Sequence, residues 1–213
     1  MKLSPRQLQT FAWALSGLVA LLAVLAWGQG YSWQVSNSYQ LFPLLGLLAF
    51  SLMWSHYMAA ALRTRFKLDK AVLHSYFEVT SYVVLVAILL HPGLLAYQLW
   101  RDGLGLPPAS ELHYVRQSWQ WGVLLGMTAL VVFLAYELHR WFDNRGWWRY
   151  VQYASDAAMV AIFIHALRLG TQLRMGWFKW IWWFYGVSLL ATLIYTYAQK
   201  LQANRLKQVA KQP

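Results

Sequence analysis

The sequence predicts an all-α integral membrane protein, a six-transmembrane-helix bundle with both termini cytoplasmic. Of its 213 residues, 59% are hydrophobic and 12% are charged, whereas a soluble domain carries about 25% charged residues. The chain also has 14 Trp and 13 Tyr, and aromatic side chains of this kind favour the membrane–water boundary. There is no Cys, which excludes disulfides, iron–sulfur clusters and thiol catalysis in this chain.

Six apolar segments reach the roughly 20 residues that a membrane-spanning helix requires. They are predicted at about 8–27, 41–62, 73–99, 119–138, 150–169 and 177–198. All six belong to a single transmembrane domain covering residues 1–213, in which residues 199–213 form a basic cytoplasmic tail. The fifth segment is the least regular, because Gln152, Ser155 and Asp156 interrupt it.

Basic residues predict the orientation of the bundle. With the N-terminus inside, the inner segments hold most of the 18 Lys and Arg residues: Lys2, Arg6, Arg63, Arg65, Lys67, Lys70, Arg140, Arg145, Arg149, Lys200, Arg205, Lys207 and Lys211. The outer loops hold Arg101, Arg116, Arg168, Arg174 and Lys179. The positive-inside rule therefore predicts cytoplasmic termini. The same pattern attributes the net charge of +11 to topology and to membrane lipid, and not to nucleic acid.

Two histidines are the informative polar residues inside the predicted spans, His91 on the third and His165 on the fifth. Their distances from the outer ends of these helices place both roughly 6–12 Å below the outer boundary, at a rise of about 1.5 Å per residue. Polar side chains are costly inside a bilayer and require a reason. Two imidazoles at matched depth suit the axial positions of one haem iron, an arrangement typical of electron transfer. The alternative is that both are interior residues hydrogen-bonded to neighbouring helices.

The residues beside the two histidines are compatible with a haem. Pro92 removes a backbone hydrogen bond and can bend the helix, and Gly93 leaves space where a porphyrin would approach. Arg168 lies one turn nearer the outer surface than His165, so it is a candidate partner for a haem propionate.

Residues 79–198 resemble the ferric reductase-like transmembrane domain. The motifs that carry the resemblance are VAILLHPGLLAYQLW around His91 and WWRYVQYASDAAMVAIFIHALRLG around His165, separated by a helix of matching length and a basic inner loop. Within that family the chain is similar to haem-binding membrane subunits of bacterial periplasmic methionine sulfoxide reductase systems. The resemblance implies one haem b bound by His91 and His165 near the outer leaflet, a bacterial inner-membrane location and a redox partner protein on the outer face.

One departure from the family concerns the inner haem. In fully equipped relatives each of the two helices carries a second histidine, thirteen or fourteen residues earlier, that ligates this haem. This sequence has Phe77 or Glu78 at those positions on the third segment, and Val151 or Gln152 on the fifth. We therefore predict that the usual inner haem is absent.

Four further histidines lie outside the matched pair. His56, His74 and His139 are on the inner side and are predicted to be interfacial residues near lipid headgroups, with an unconventional inner cofactor site as the alternative. His113 lies in the outer loop and is predicted to be exposed.

Two acidic residues, Glu78 and Asp156, lie at buried depth on the third and fifth segments. A buried carboxyl group favours its neutral form unless a cation is near, and Arg149 is a candidate cation. A structural role is favoured for both residues, with a quinone or proton site as the alternative.

These patterns favour a membrane haem b electron-transfer protein. It would pass single electrons between a quinol or a cytoplasmic flavin reductase and an acceptor at the outer face, with quinone or FMN as further cofactor candidates. It would be a redox subunit of an oxidoreductase system, because the sequence has no phosphate-binding loop for a nucleotide. The alternative is a haem-free anchoring subunit on a degenerate scaffold of the same family. A transporter is disfavoured, since the sequence has no internal repeat and no paired broken helices.

Overall fold

The computed structural model describes residues 4–137, 146–174 and 176–209, and the regular secondary structure of these residues is entirely helical. The helices are α1 (Pro5–Tyr31), α2 (Ser38–Arg65), α3 (His74–Arg101), α4 (Ala109–Tyr114), α5 (Gln120–Glu137), α6 (Trp148–Leu169) and α7 (Phe178–Val209). Short 3-10 helices lie at Lys70–Leu73, Gln117–Trp119 and Thr171–Leu173. The predicted all-α class is confirmed for the described residues.

Some residues used in the topology prediction lie outside the described part of the chain. They are Lys2, Leu138, His139, Arg140, Arg145 and Lys211. The side chain of Lys207 is likewise not described.

Five helices in the described ranges are long and apolar enough to cross a membrane, which suggests a multi-pass membrane protein. They span Pro5–Tyr31, Ser38–Arg65, Lys70–Arg101, Gln117–Tyr136 and Phe178–Arg205, and they correspond to five of the six predicted segments. The fifth predicted segment forms helix α6 but is not among them. Its hydropathy is low because Gln152, Asp156 and Arg168 interrupt the apolar residues.

Helix ends extend beyond the apolar segments that predicted them. Helix α1 begins at Pro5 because Ser4 caps it: the Ser4 side chain accepts from the Gln7 backbone N–H, and the Gln7 side chain accepts from the Ser4 N–H. At the other end of the chain α7 continues to Val209, so residues 199–209 of the predicted tail are helical. Hydropathy alone marks the apolar part of a helix and misses the capped polar turns at its ends.

The long helices form two packed groups, α1–α2–α3 and α5–α6, and α7 contacts both groups. An aromatic core joins α2, α6 and α7 at the centre. Phe50 lies 4.4 Å from Trp182 between ring centroids, Phe163 is nearly parallel to Trp182, and Trp54 stacks on Tyr185 at 4.4 Å. Between the two groups, the ring of His91 on α3 lies near the ring of His165 on α6.

Candidate functional site

The His91 imidazole on α3 is held against the backbone of α2. Its Nδ1 lies 2.7 Å from the Phe42 carbonyl oxygen. A carbonyl oxygen only accepts hydrogen bonds, so Nδ1 carries the proton and Nε2 retains its lone pair. A Cβ at Gly46, one helical turn further along α2, would lie 2.8 Å from the ring atom Cε1. The missing side chain of Gly46 is what allows the ring to lie so close to α2.

The His165 imidazole on α6 repeats this arrangement against α5. Its Nδ1 lies 2.7 Å from the Gly122 carbonyl oxygen. A Cβ at Gly126, again one turn beyond the acceptor residue, would lie 2.6 Å from the ring atom Cε1. Each histidine therefore donates to a carbonyl of the neighbouring helix and lies over the glycine four residues later.

The structure brings the two predicted histidines together. Their ring centroids are 6.5 Å apart and the ring planes are nearly perpendicular, at 82°. Among the described residues, no hydrogen bond engages Nε2 of either ring. The proximity expected from matched depth is present, while the role of the pair as haem ligands stays a prediction.

Arg168 lies in the last turn of α6, beside an aromatic and cationic cluster. Its Nη2 donates to the Ser118 carbonyl oxygen at 3.1 Å, and its guanidinium carbon is 5.3 Å from the Trp119 ring centroid. The Arg174 guanidinium carbon lies 4.1 Å from the centroid of the same ring. Neither arginine forms an ion pair within the described ranges, and Arg168 Nε is buried without a hydrogen-bond partner. Two adjacent cations without a carboxylate leave a place for an anionic group.

Two of these features match what a haem with two histidine ligands would require. A metal-bound histidine commonly donates its other ring N–H to a carbonyl or carboxylate, which fixes the ring and its tautomer. Both Nδ1 atoms meet this requirement. The buried Nε of Arg168 is a donor suited to a propionate. If a haem is bound, His91 and His165 would hold the iron and Arg168 would lie near a propionate.

The glycines beneath the two rings were not predicted. No sequence motif marks Gly46 or Gly126. Their role depends on the register in which α2 packs on α3 and α5 packs on α6. The only signal in the sequence is the i, i+4 spacing of Gly122 and Gly126 on one predicted helix, which is too common to identify a site.

The remaining histidines behave differently from one another. His56 is half-buried between α2 and α3: its Nε2 lies 2.6 Å from Thr80 Oγ1, and its ring packs against Tyr76 and Phe77. His74 is exposed at the N-terminal end of α3. The interfacial location of both histidines stays a prediction. His113 is exposed, as predicted.

The two acidic residues have different surroundings. Asp156 does not pair with Arg149; instead its carboxylate accepts from Tyr57 OH at 2.9 Å and from Tyr197 OH at 2.6 Å. These tyrosines on α2 and α7 were not predicted, because they become neighbours of Asp156 only through tertiary packing. Glu78 is half exposed, with its carboxylate 3.7 Å from His74 Nδ1, so it is not a buried acid.

A cavity of about 890 Å³ lies between α2, α3, α5, α6 and α7, at the end of the bundle predicted to face the cytoplasm, and we call it the inner cavity. Phe77, Glu78 and Gln152, which stand where the resemblance places inner-haem histidines, line this cavity. His56 and His74 line it as well. Among the described residues no group of three or more metal-ligating side chains is present. The inner cavity therefore contains space for a ligand, while the absence of the usual inner haem stays a prediction.

Comparison of the chain with protein-family models, with curated protein sequences and with solved structures found no match. The resemblance to the ferric reductase-like domain thus depends on the motifs around His91 and His165.

Proposed function

We propose that this chain is a membrane haem b electron-transfer protein in which His91 and His165 hold one haem near the outer leaflet. The 6.5 Å between ring centroids supports this most directly. An imidazole nitrogen lies about 2.0–2.1 Å from a bound metal, and the ring centre lies roughly 1.1 Å behind that nitrogen. Two imidazoles on opposite sides of one iron then have centroids about 6.3 Å apart.

The chain's own groups have distinct tasks in this proposal. The carbonyl oxygens of Phe42 and Gly122 fix both rings, so little rearrangement is required when the iron is reduced or oxidised. A bound haem supplies one-electron chemistry, and histidines on both axial positions leave no open site for oxygen. These features suit single-electron transfer better than oxygen chemistry.

The surrounding system follows from the same proposal. The chain has six spans with both termini cytoplasmic, and it lies in a bacterial inner membrane. It acts as a redox subunit of an oxidoreductase system, taking electrons from quinol or a cytoplasmic flavin reductase and passing them to a partner protein on the outer face. Quinone and FMN are the further cofactor candidates, with Glu78 and Asp156 on the wall of the inner cavity.

The test is a visible absorption spectrum of detergent-purified protein produced with haem supplied, recorded oxidised and dithionite-reduced. We expect sharp α and β bands after reduction and one haem per chain. Two haems per chain would contradict a single site. Absence of a Soret band would refute the haem proposal and leave the anchoring subunit as the better account.

Arg168→Gln is expected to lower the midpoint potential of the bound haem. Removing a cation near the haem destabilises the reduced state, which carries one more negative charge, relative to the oxidised state. A difference of about 0.5–1 kcal/mol between the two states, the size of an exposed charge interaction, corresponds to roughly 20–40 mV for one electron. Lys179→Gln is the matched control, since Lys179 is also an outer-side cation but lies over Trp180. Equal shifts in both variants, measured by redox titration, would show a general surface-charge effect.

A further inference from the structure

The inner cavity has a cationic lining at its cytoplasmic end. Arg63 at the end of α2, Lys70 just before α3 and Lys200 on α7 all line it. None of the three forms an ion pair with a described residue. Two carboxylates also line the cavity: Asp156 accepts two phenol hydrogen bonds, and Glu78 faces His74. The mouth therefore retains an excess of positive charge.

Several polar groups of the cavity lining already have hydrogen-bond partners in the protein. His56 contacts Thr80, and Ser155 donates to the Val151 carbonyl oxygen. Asp156 accepts from tyrosines on α2 and α7. An apolar body beside these three lining residues would leave them paired.

The cavity is long as well as wide. Its lining runs along α3 from His74 to Ile88, which is about 21 Å at 1.5 Å rise per residue. This exceeds half of the roughly 30 Å hydrocarbon core. Val84, Ile88, Phe133 and Leu193 provide apolar side chains along it. The shape suits an extended chain that enters from the cytoplasmic leaflet.

We propose that the inner cavity binds an anionic phospholipid, with its phosphate at Arg63, Lys70 and Lys200 and one acyl chain between the two helix groups. The positive mouth and the long lining with its apolar side chains together favour an amphiphile with a charged head and an apolar tail. Such a lipid would fill the space left by the missing inner histidine pair. This site is independent of the proposed haem.

The experiment uses purified full-length protein, delipidated and then offered vesicles of equal parts phosphatidylglycerol and phosphatidylcholine, with retained lipid counted by native mass spectrometry. We expect one phosphatidylglycerol retained per chain. A triple variant, Arg63→Gln with Lys70→Gln and Lys200→Gln, should weaken this retention by about fivefold for each cation removed. The matched control, Arg65→Gln with Lys67→Gln and Arg205→Gln, removes the same charge from exposed inner positions outside the cavity lining.

A second variant tests the chain-binding part separately. Ala61 lines the cavity, so Ala61→Phe should reduce lipid retention while all cations remain, provided that its melting temperature shows a folded protein. Equal loss in the two triple variants, or equal retention of both lipids, would overturn the proposal. Inorganic phosphate that competes for the site as strongly as phosphatidylglycerol would also overturn it. A stoichiometric quinone or flavin bound in place of phospholipid would overturn it as well.

Discussion

His91→Ala and His165→Ala are each expected to abolish the low-spin spectrum of the bound haem. With one imidazole removed, the iron retains a single axial histidine, and the low-spin state requires strong ligands on both sides. The two variants should behave alike, because the two rings are held in equivalent ways by the Phe42 and Gly122 carbonyls. Purification with a haem-to-protein ratio and paired oxidised and reduced spectra measures the effect.

Matched controls come from histidines elsewhere in the chain. His74→Ala and His113→Ala remove exposed imidazoles at the inner and outer ends. Both should retain the wild-type spectrum and haem ratio. A low-spin haem surviving in His91→Ala or His165→Ala would contradict the assignment of ligands.

The same variants separate the haem proposal from the alternative that the histidines only tie helices together. In that case each substitution removes one hydrogen bond between two helices, at a cost of about 0.5–1.5 kcal/mol in stability. Any chromophore would then remain unchanged while the melting temperature fell. The alternative thus predicts a loss of stability where the haem proposal predicts a loss of spectrum.

The position of the two histidines could be predicted from the sequence, but their hydrogen-bond partners could not. Depth along a helix is read directly from spacing, so the approach of His91 and His165 could be expected. The partners of their Nδ1 atoms could not, because the carbonyl oxygens of Phe42 and Gly122 become acceptors only when the helices pack in one register. Every residue has a backbone carbonyl, so the residue type does not show which carbonyl will accept a hydrogen bond from a side chain.

Asp156 illustrates a related difficulty. Charge alone suggested Arg149, which is seven residues earlier on the same helix, but the Arg149 guanidinium donates to Tyr150 OH. The Asp156 carboxylate is satisfied by Tyr57 and Tyr197, which are 99 and 41 residues away in sequence. In an apolar bundle neutral hydroxyl donors satisfy a carboxylate without the desolvation of a second charge, and sequence proximity does not identify them.

For the predicted inner half of the bundle, the sequence predicted only an absence. Phe77, Glu78, Val151 and Gln152 stand where the resemblance places the inner ligands, but residue identities do not reveal whether helices close over the gap. The structure retains about 890 Å³ there. Cavity volume depends on the positions of the helices, and a sequence pattern leaves these positions undetermined.

Gly46→Ala and Gly126→Ala are expected to reduce haem retention about tenfold or more each, without removing either ligand. A Cβ at these positions would lie 2.8 Å and 2.6 Å from the Cε1 atoms of His91 and His165, whereas carbon atoms pack at about 3.5–4.0 Å. The rings must shift, which strains the hydrogen bonds that orient them, and loss of such orienting contacts commonly costs 10–100-fold in metal affinity. Haem titration of the purified variants measures the effect.

Gly17→Ala provides the control, since a Cβ at Gly17 on α1 would meet no atom within 4 Å. Replacing glycine by alanine inside a helix generally favours the helix by about 0.5–1 kcal/mol. This control should therefore retain haem and melt at the same or a higher temperature. If Gly46→Ala and Gly126→Ala also retained full haem affinity, the close packing of the rings on α2 and α5 would have no part in ligand orientation. Loss of haem in these two variants, with both histidines present, would instead show that the helix register positions the ligands.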